Sequence, residues 1–396
     1  MSNRCDILSP MKNQGFSVGI DVGSHTTRIV VARPTKSGMR VIAHGYSPTH
    51  GVRQGFIVHQ EHVLESVLRA KKMAEDMAQI KITEARIAIS GITLETHTVH
   101  TSVAVDPSVG MVTNLHLAEL QEKARYLVEQ KFNNRRVLYV SPTDFLIDDE
   151  SVLGSPEGLR GKKIQACMLV FTARDHHVSL LQKTIIDAGI TPTVTIPGPI
   201  ALAESIVSDY QKMRGVLVVD IGAETVSAIT FESGVPSAMR VFSIGGSDIT
   251  GDIALGLQLP LDDAESAKLA REIDDIPQKK LETIIRARLE DIFELVHKYL
   301  ENIDKEKSLP AGVVLSGGGS RMTSLADYAR ESLRLPTQMA RVAHTANRNN
   351  TPVEHNYLLA FGLCSPVFDD LGESQSFFGD IEFIDKIRKF FRQMMP

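Results

Sequence analysis

The sequence predicts a duplicated α/β fold: two similar halves facing each other across a cleft, with a small α+β unit inserted in the first. Three observations predict it. Residues 19–31 and 218–230, about two hundred positions apart, repeat one pattern of apolar strand, Asp-x-Gly, polar turn and second apolar strand. Helical stretches follow each hairpin, and glycine-rich punctuation recurs at 19–24, from Gly222 onward and at 316–320. An aspartate at the end of a buried strand, followed by a glycine turn with free backbone N–H groups, is a way to hold a phosphate and its metal ion. One copy would more often be an ordinary hairpin. Two facing copies would clamp a nucleotide between two domains.

Each element follows from its local pattern. Residues 41–46 read as a third strand, and 61–79 have helical spacing through Val63, Leu64, Val67, Ala70, Met73 and Met77. Residues 86–90 and 95–105 are strand-like, 117–130 is helical, and 137–140 and 145–147 read as short strands. A turn at 155–161 precedes a strand over 163–171, so 85–165 forms the inserted unit. The segment 176–188 is amphipathic and stops at Gly189, as a helix with a glycine terminator should. The pair His176-His177, with no metal partners nearby in sequence, reads as the start of that helix. Residues 190–196 lead into the corner Pro197-Gly198-Pro199 and a helix over 200–211. Beyond the second hairpin, 262–273 is helical and breaks near Pro277. The longest helix, 281–303, carries Ile285, Leu289, Ile292, Val296, Tyr299 and Ile303 on one stripe. A strand over 311–315 then leads to Gly317, Gly318 and Gly319.

A chain of 396 residues is long enough for two or more cores. A net charge of −5 without long Lys/Arg runs argues against nucleic acid as the main partner. Three scattered cysteines, Cys5, Cys167 and Cys364, lack metal-ligand spacing and fit a reducing cytoplasm. Residues 1–14 are polar and carry no apolar secretion core, and no stretch approaches the ~18 apolar residues of a spanning helix. Any contact with a membrane is therefore expected from its cytoplasmic face.

The three glycine sites, in this order, resemble the actin, Hsp70 and sugar-kinase superfamily, which binds ATP between two ribonuclease-H-like halves. The resemblance implies an actin-like fold. It implies a first phosphate loop of Asp21, Gly23, Ser24, His25 and Thr26, with Arg28 where many relatives direct a lysine at the phosphates. It implies a second loop of Asp220, Gly222, Ala223, Glu224 and Thr225, followed by Gly245 and Gly246. Gly317, Gly318, Gly319 and Met322 would approach the adenosine, where a Cβ would collide with a base or ribose. Asp21 and Asp220 would hold the waters around Mg²⁺. His25, alone in its turn, also reads as a solvated loop residue.

Finer features are similar to the FtsA family of bacterial cell-division proteins. The turn at 155–163, residues 245–254 (GGSDITGDIA) and residues 285–296 (IRARLEDIFELV) match that family's inserted subdomain, its segment after the second hairpin and its helix before the adenosine loop. The resemblance covers residues 16–365. The layout it implies is a flexible tail (1–15), subdomain 1A (16–84, 166–198 and 350–365), the insertion 1C (85–165), subdomain 2A (199–245 and 311–349), subdomain 2B (246–310), a linker (366–380) and an amphipathic membrane-targeting helix (381–396). Two readings stay open for Ser247 and Asp248, helix cap or nucleotide contact. Two stay open for Arg288: a surface ion pair, or part of the 2B face that receives the FtsZ C-terminal peptide.

Catalysis is where the sequence departs from its relatives. Many carry a glutamate before the proline at the domain corner, where it can polarise a water. Here Gly198 stands at that place, and Glu204 on the following helix is the substitute. Glu224 would repel a nearby phosphate unless it points away. ATP binding with slow or negligible hydrolysis is the expectation.

In 381–396, Ile384, Ile387, Phe391 and Met394 or Met395 share one helical face with Phe390 at its edge, while Lys386, Arg388, Lys389 and Arg392 fill the other. An apolar face with flanking cations suits acyl chains and anionic headgroups; docking on the protein's own body is the other reading. Together these features predict an ATP-binding protein that polymerises at the cytoplasmic face of the plasma membrane, at the division septum. It would tether FtsZ there and recruit later division proteins through 1C. The rivals are a PilM-like pilus-assembly protein, which would lack the basic foot, and a small-molecule kinase, which would need a carboxylate base near the γ-phosphate. An Hsp70-type chaperone would need a peptide-binding domain.

Overall fold

In the computed structural model, which describes residues 15–36, 38–108, 110–269, 276–305, 308–322, 325–342, 355–369 and 371, the two Asp-x-Gly segments are antiparallel hairpins in two separate sheets. The first half runs β1 (Ser17–Val22), β2 (Thr26–Thr35), β3 (Gly38–Pro48), the two-residue strands β4 (Val52–Arg53) and β5 (Phe56–Ile57), α1 (Gln60–Ala78) and β6 (Glu84–Ile89). The insertion follows as β7 (Glu95–Ala104), α2 (Asn114–Lys131), β8 (Arg135–Ile147), β9 (Glu150–Val152) and β10 (Lys163–Arg174). The chain then returns through α3 (Asp175–Asp187), β11 (Thr191–Pro197), α4 (Gly198–Ile206) and α5 (Asp209–Arg214). The second half comprises β12 (Val216–Ile221), β13 (Val226–Glu232), β14 (Val235–Phe242), α6 (Gly246–Leu257), α7 (Leu261–Lys268), α8 (Gln278–Asn302), β15 (Val313–Ser316), α9 (Leu325–Leu333) and β16 (Thr337–Met339). Finally α10 (Leu358–Gly362) lies back against the first half.

The duplication extends to topology and register. One sheet has the order β3-β2-β1-β6-β11 and the other β14-β13-β12-β15-β16, each with an antiparallel meander followed by two parallel strands. Asp21 lies opposite Arg28, and Asp220 opposite Ser227, so both turns close at the same offset. Gly23 N–H donates to Thr26 O at 3.2 Å and Gly222 N–H to Thr225 O at 2.9 Å. Apolar alternation buries Val18, Ile20, Ile29 and Val31 in one core and Leu217, Val219, Val226 and Ala228 in the other. On α1, Val63, Val67, Ala70 and Ala74 are buried at helical spacing. Gly19 lies so close to α10 that a Cβ there would overlap the Ala360 carbonyl.

Several sequence expectations are corrected. Residues 84–89 pair with β1 and β11, so that strand belongs to the first sheet rather than to an insertion starting at 85. The inserted sheet, β7-β10-β8-β9, uses β10 through Arg174, beyond the expected end at 165. The expected short strands at 137–140 and 145–147 are one strand, β8. Pro142, in the gap between the two expected strands, sits at a register shift opposite Met168, where a missing N–H is tolerated. The expected 200–211 helix stops at Ile206. Ser208 then caps α5, exchanging hydrogen bonds with the backbone and side chain of Gln211. The start of the expected linker is part of the body: Phe368 is buried, and Arg86 binds the carbonyls of Leu363 and Ser365 and the carboxylate of Asp369. Residues 381–396, with every proposed membrane contact, lie outside the described residues.

Candidate functional site

The turns after β1 and β12 open into one cleft of about 530 Å³ between the halves. From the first turn it is lined by Asp21, Gly23, Ser24, His25, Thr26 and Arg28. From the second it is lined by Asp220, Gly222, Ala223 and Thr225, and from beyond β15 by Gly317, Gly318 and Gly319. Gly246 and Ser247, at the start of α6, also line it. Asp21 is buried near Arg28, whose guanidinium lies 3.6 Å from the carboxylate. Burial raises the Asp21 pKa, and the Arg28 charge works against that rise. Asp220 is pushed up to about 7, first by burial and then by the negative charge of Asp21. Two carboxylates that resist joint ionisation therefore face one space. His25 is exposed, with Nδ1 3.0 Å from the Thr26 hydroxyl.

The glycines have different reasons to be glycine. Gly317 has φ +90°, and a Cβ there would overlap the Ile221 carbonyl and approach Asp220 Oδ1 at 2.5 Å. A Cβ on Gly319 would meet Ile221 Cγ2 at 2.5 Å. Only Gly318 has open space around it. Gly317 and Gly319 are thus also required by the end of the neighbouring strand, independently of any ligand. Gly245 does not line the cleft. A Cβ on it would meet the Ala223 and Gly222 carbonyls, and the next two N–H groups, of Gly246 and Ser247, donate to those same carbonyls at 2.9 and 2.7 Å. This segment braces the second turn from behind. Asp248 accepts from Gly245 N–H at 2.7 Å, which is the capping reading, while Ser247 faces the cleft. Met322 is buried in the second core and does not line the cleft.

Sequence reading missed one wall. Asp262, Glu265, Ser266, Lys268 and Leu269, on and just after α7, line the cleft, as do Ser90, Leu202, His355, Asn356 and Leu359. Lys268 Nζ is buried and donates to Gly246 O at 2.9 Å, Thr250 Oγ1 at 2.8 Å and Glu265 Oε2 at 2.6 Å. Burial opposes ionisation of Glu265, but the hydrogen bonds from Lys268 and Thr250 outweigh it and hold the carboxyl below its usual range. The helical spacing of 262–273 was visible. The direction its polar face takes depends on how α6 and α8 pack around it.

The family model for "Cell division protein FtsA" matches residues 217–358. FtsA of Enterococcus hirae is 27% identical over 361 residues, covering 83% of this chain and 80% of that protein, and FtsA proteins of other bacteria align at 24–27% identity. The chain is an actin-like relative of FtsA. Among solved structures, a PilM–PilN type IV pilus biogenesis complex superposes with a TM-score of 0.66 at 20% identity, covering 88% of this chain and 97% of that one. MreB5 of Spiroplasma citri bound to ADP superposes at 0.54 and 13% identity, covering 92% and 99%. These likenesses establish the shared actin-like fold.

Four residues that the resemblances singled out are engaged within the chain. Arg288 grips Asp252 on α6 with two hydrogen bonds of 2.7 and 3.0 Å and lies 3.3 Å from Asp291. Glu204 does not serve as the substitute carboxylate: it does not line the cleft, and its Oε1 is 2.5 Å from the buried Nζ of Lys212. Gly198 abuts Ser90, whose hydroxyl a Cβ at 198 would overlap. Glu224 turns out of the cleft, accepting from Gln54 N–H at 2.5 Å and from Arg53 at 3.0 Å.

Proposed function

We propose that the cleft binds ATP with Mg²⁺, and that the protein assembles into filaments on the cytoplasmic membrane. There it anchors FtsZ filaments at the division septum and helps recruit later division proteins. The observation that carries this reading is the meeting of Asp21 and Asp220, from two copies of one hairpin, in a cleft whose third side is a glycine loop. Burial raises both pKa values, and the negative charge of Asp21 raises that of Asp220 further, so the pair favours a divalent cation. Two carboxylates suit Mg²⁺, which keeps several waters and takes its remaining ligands from phosphates. The structures of MreB5 with ADP and with AMPPNP support a nucleotide in this fold. Turnover is slow or negligible, because the corner carries Gly198 and Glu204 is tied to Lys212.

Membrane attachment rests on the pattern of residues 381–396. Burying one of its large apolar side chains is worth roughly 1.5–3 kcal/mol, and each cation near an anionic leaflet about 1 kcal/mol. A helix this short is marginal in water, so one foot binds weakly and reversibly. A filament multiplies the feet and makes the attachment firm.

The test is liposome co-sedimentation of the full chain and of a chain stopped at Asp380, each with and without ATP and FtsZ. Only the full chain should pellet and carry FtsZ with it. If both pellet equally and neither recruits FtsZ, the tethering reading fails. Asp220→Ala should abolish binding of a fluorescent ATP analogue, and unchanged affinity would remove that loop from the site.

A further inference from the structure

The two-residue strands β4 and β5 form a small hairpin whose tip, Gln54-Gly55, turns with φ +50° and +80°. Consecutive positive φ values make a tight reversal of the kind that matches strand twist. This tip touches both loops of the cleft. Gly55 N–H donates to Ser24 Oγ at 3.0 Å in the first, and Gln54 N–H donates to Glu224 Oε2 at 2.5 Å in the second. Arg53 adds an ion pair to Glu224 Oε1 at 3.0 Å. The Arg53 side chain is 77% exposed and Glu224 only 19%, so water screens the guanidinium and the backbone N–H bears more of the contact.

The hairpin is firmly mounted on the first half. Ile92 N–H donates to Gln54 O at 3.2 Å, and Gly55 and Gly91 approach so closely that a Cβ on either would clash. Behind the tip, Phe56 lies against the buried His177 ring, with centroids 5.2 Å apart, and His177 Nδ1 is 2.6 Å from Thr93 Oγ1. Glu224 belongs to the second half, 170 residues away in sequence. The halves therefore cannot separate at this edge without unpairing a mostly buried carboxylate.

We infer that Glu224 and the hairpin tip at 53–55 form a latch that holds the cleft shut and gates release of its ligand. The inference rests on the nucleotide reading of the cleft and adds its regulation. In the closed state the Glu224 carboxylate is held by the Gln54 N–H and Arg53 and directed away from the cleft. On opening, the carboxylate is freed beside Ala223 and Thr225, where its charge repels a polyphosphate. Closure and phosphate retention are thus coupled through one side chain.

Two measurements on the full-length chain test it. The first is hydrogen exchange of residues 52–57, read by mass spectrometry without nucleotide, in wild type and in Glu224→Ala, Glu224→Gln and Arg53→Ala. Exchange should rise most in Glu224→Ala. It should rise less in Glu224→Gln, which keeps an acceptor for the Gln54 N–H, and least in Arg53→Ala. Unchanged exchange in Glu224→Ala overturns the latch whatever the cleft binds. The second is dissociation of a methylanthraniloyl ATP analogue chased with ATP, which should quicken on the order of 10-fold in Glu224→Ala. Raised exchange with a wild-type dissociation rate overturns the gating. If wild type binds no analogue, the nucleotide reading falls and the gating with it, while the exchange result still decides whether the clasp exists.

Discussion

Gly317, Gly318 and Gly319 offer a test in which one methyl group is moved along three adjacent positions. At Gly317 an added Cβ must accept φ +90° and overlap the Ile221 carbonyl, which is backbone and cannot swing aside. A left-handed non-glycine residue costs about 1–3 kcal/mol, and forced overpacking a further ~1–3 kcal/mol. Gly317→Ala should therefore lose about 2–6 kcal/mol. At Gly319 the nearest atom is Ile221 Cγ2, a side-chain methyl that can shift, so only the overpacking cost of roughly 1–3 kcal/mol applies. At Gly318 nothing lies within 4 Å and φ is not positive, so alanine should be neutral or stabilise by about 0.4–1 kcal/mol through the unfolded chain. Gly318 lines the cleft, and the same added methyl should weaken the fluorescent ATP analogue. Urea unfolding and analogue titration of the three variants measure both effects. If Gly318→Ala destabilises as much as Gly317→Ala, or Gly317→Ala is neutral, this account of the loop is wrong.

Two further outcomes concern buried titratable groups. Burial pushes the His177 imidazole from 6.5 down to about 4. The unfolded chain therefore takes up a proton that the folded chain refuses, and stability is complete above about pH 6.5 and lost as pH falls towards 4. At 1.36 kcal/mol per unit the loss is about 3 kcal/mol. Urea denaturation of wild type and His177→Gln at pH 7 and pH 4 should show this extra loss in wild type alone; parallel profiles would contradict it. Lys212 and Glu204 form a pair with side-chain exposures of 7% and 15%. Lys212→Met leaves a buried carboxylate unpaired and should lose about 3–5 kcal/mol, whereas Lys212→Met with Glu204→Leu should recover most of it. A double variant as unstable as the single would show that the charge is not the cause.

Much of the fold was legible because its signals are local. Alternation of apolar residues marked both hairpins, and the spacing of Val63, Val67 and Ala70 marked α1. The misreadings share one cause, which is that a local break was compensated by a distant partner. The strand expected to end at 140 runs on, because β10 carries β8 past Pro142 with a register shift. Phe368 reads as linker, yet it is buried in the first core.

The candidate site divides along the same line. By itself, the sequence determined that two Asp-x-Gly turns and a glycine loop exist, since turn chemistry and strand period belong to a few consecutive residues. Only the tertiary structure decided that Asp21 and Asp220 share one space, that Lys268 and Glu265 form a wall of it, and that Glu224 faces away to clasp Gln54. Those meetings join residues from both halves or from helices apart in sequence. They depend on how whole sheets and helices pack, which no short segment encodes.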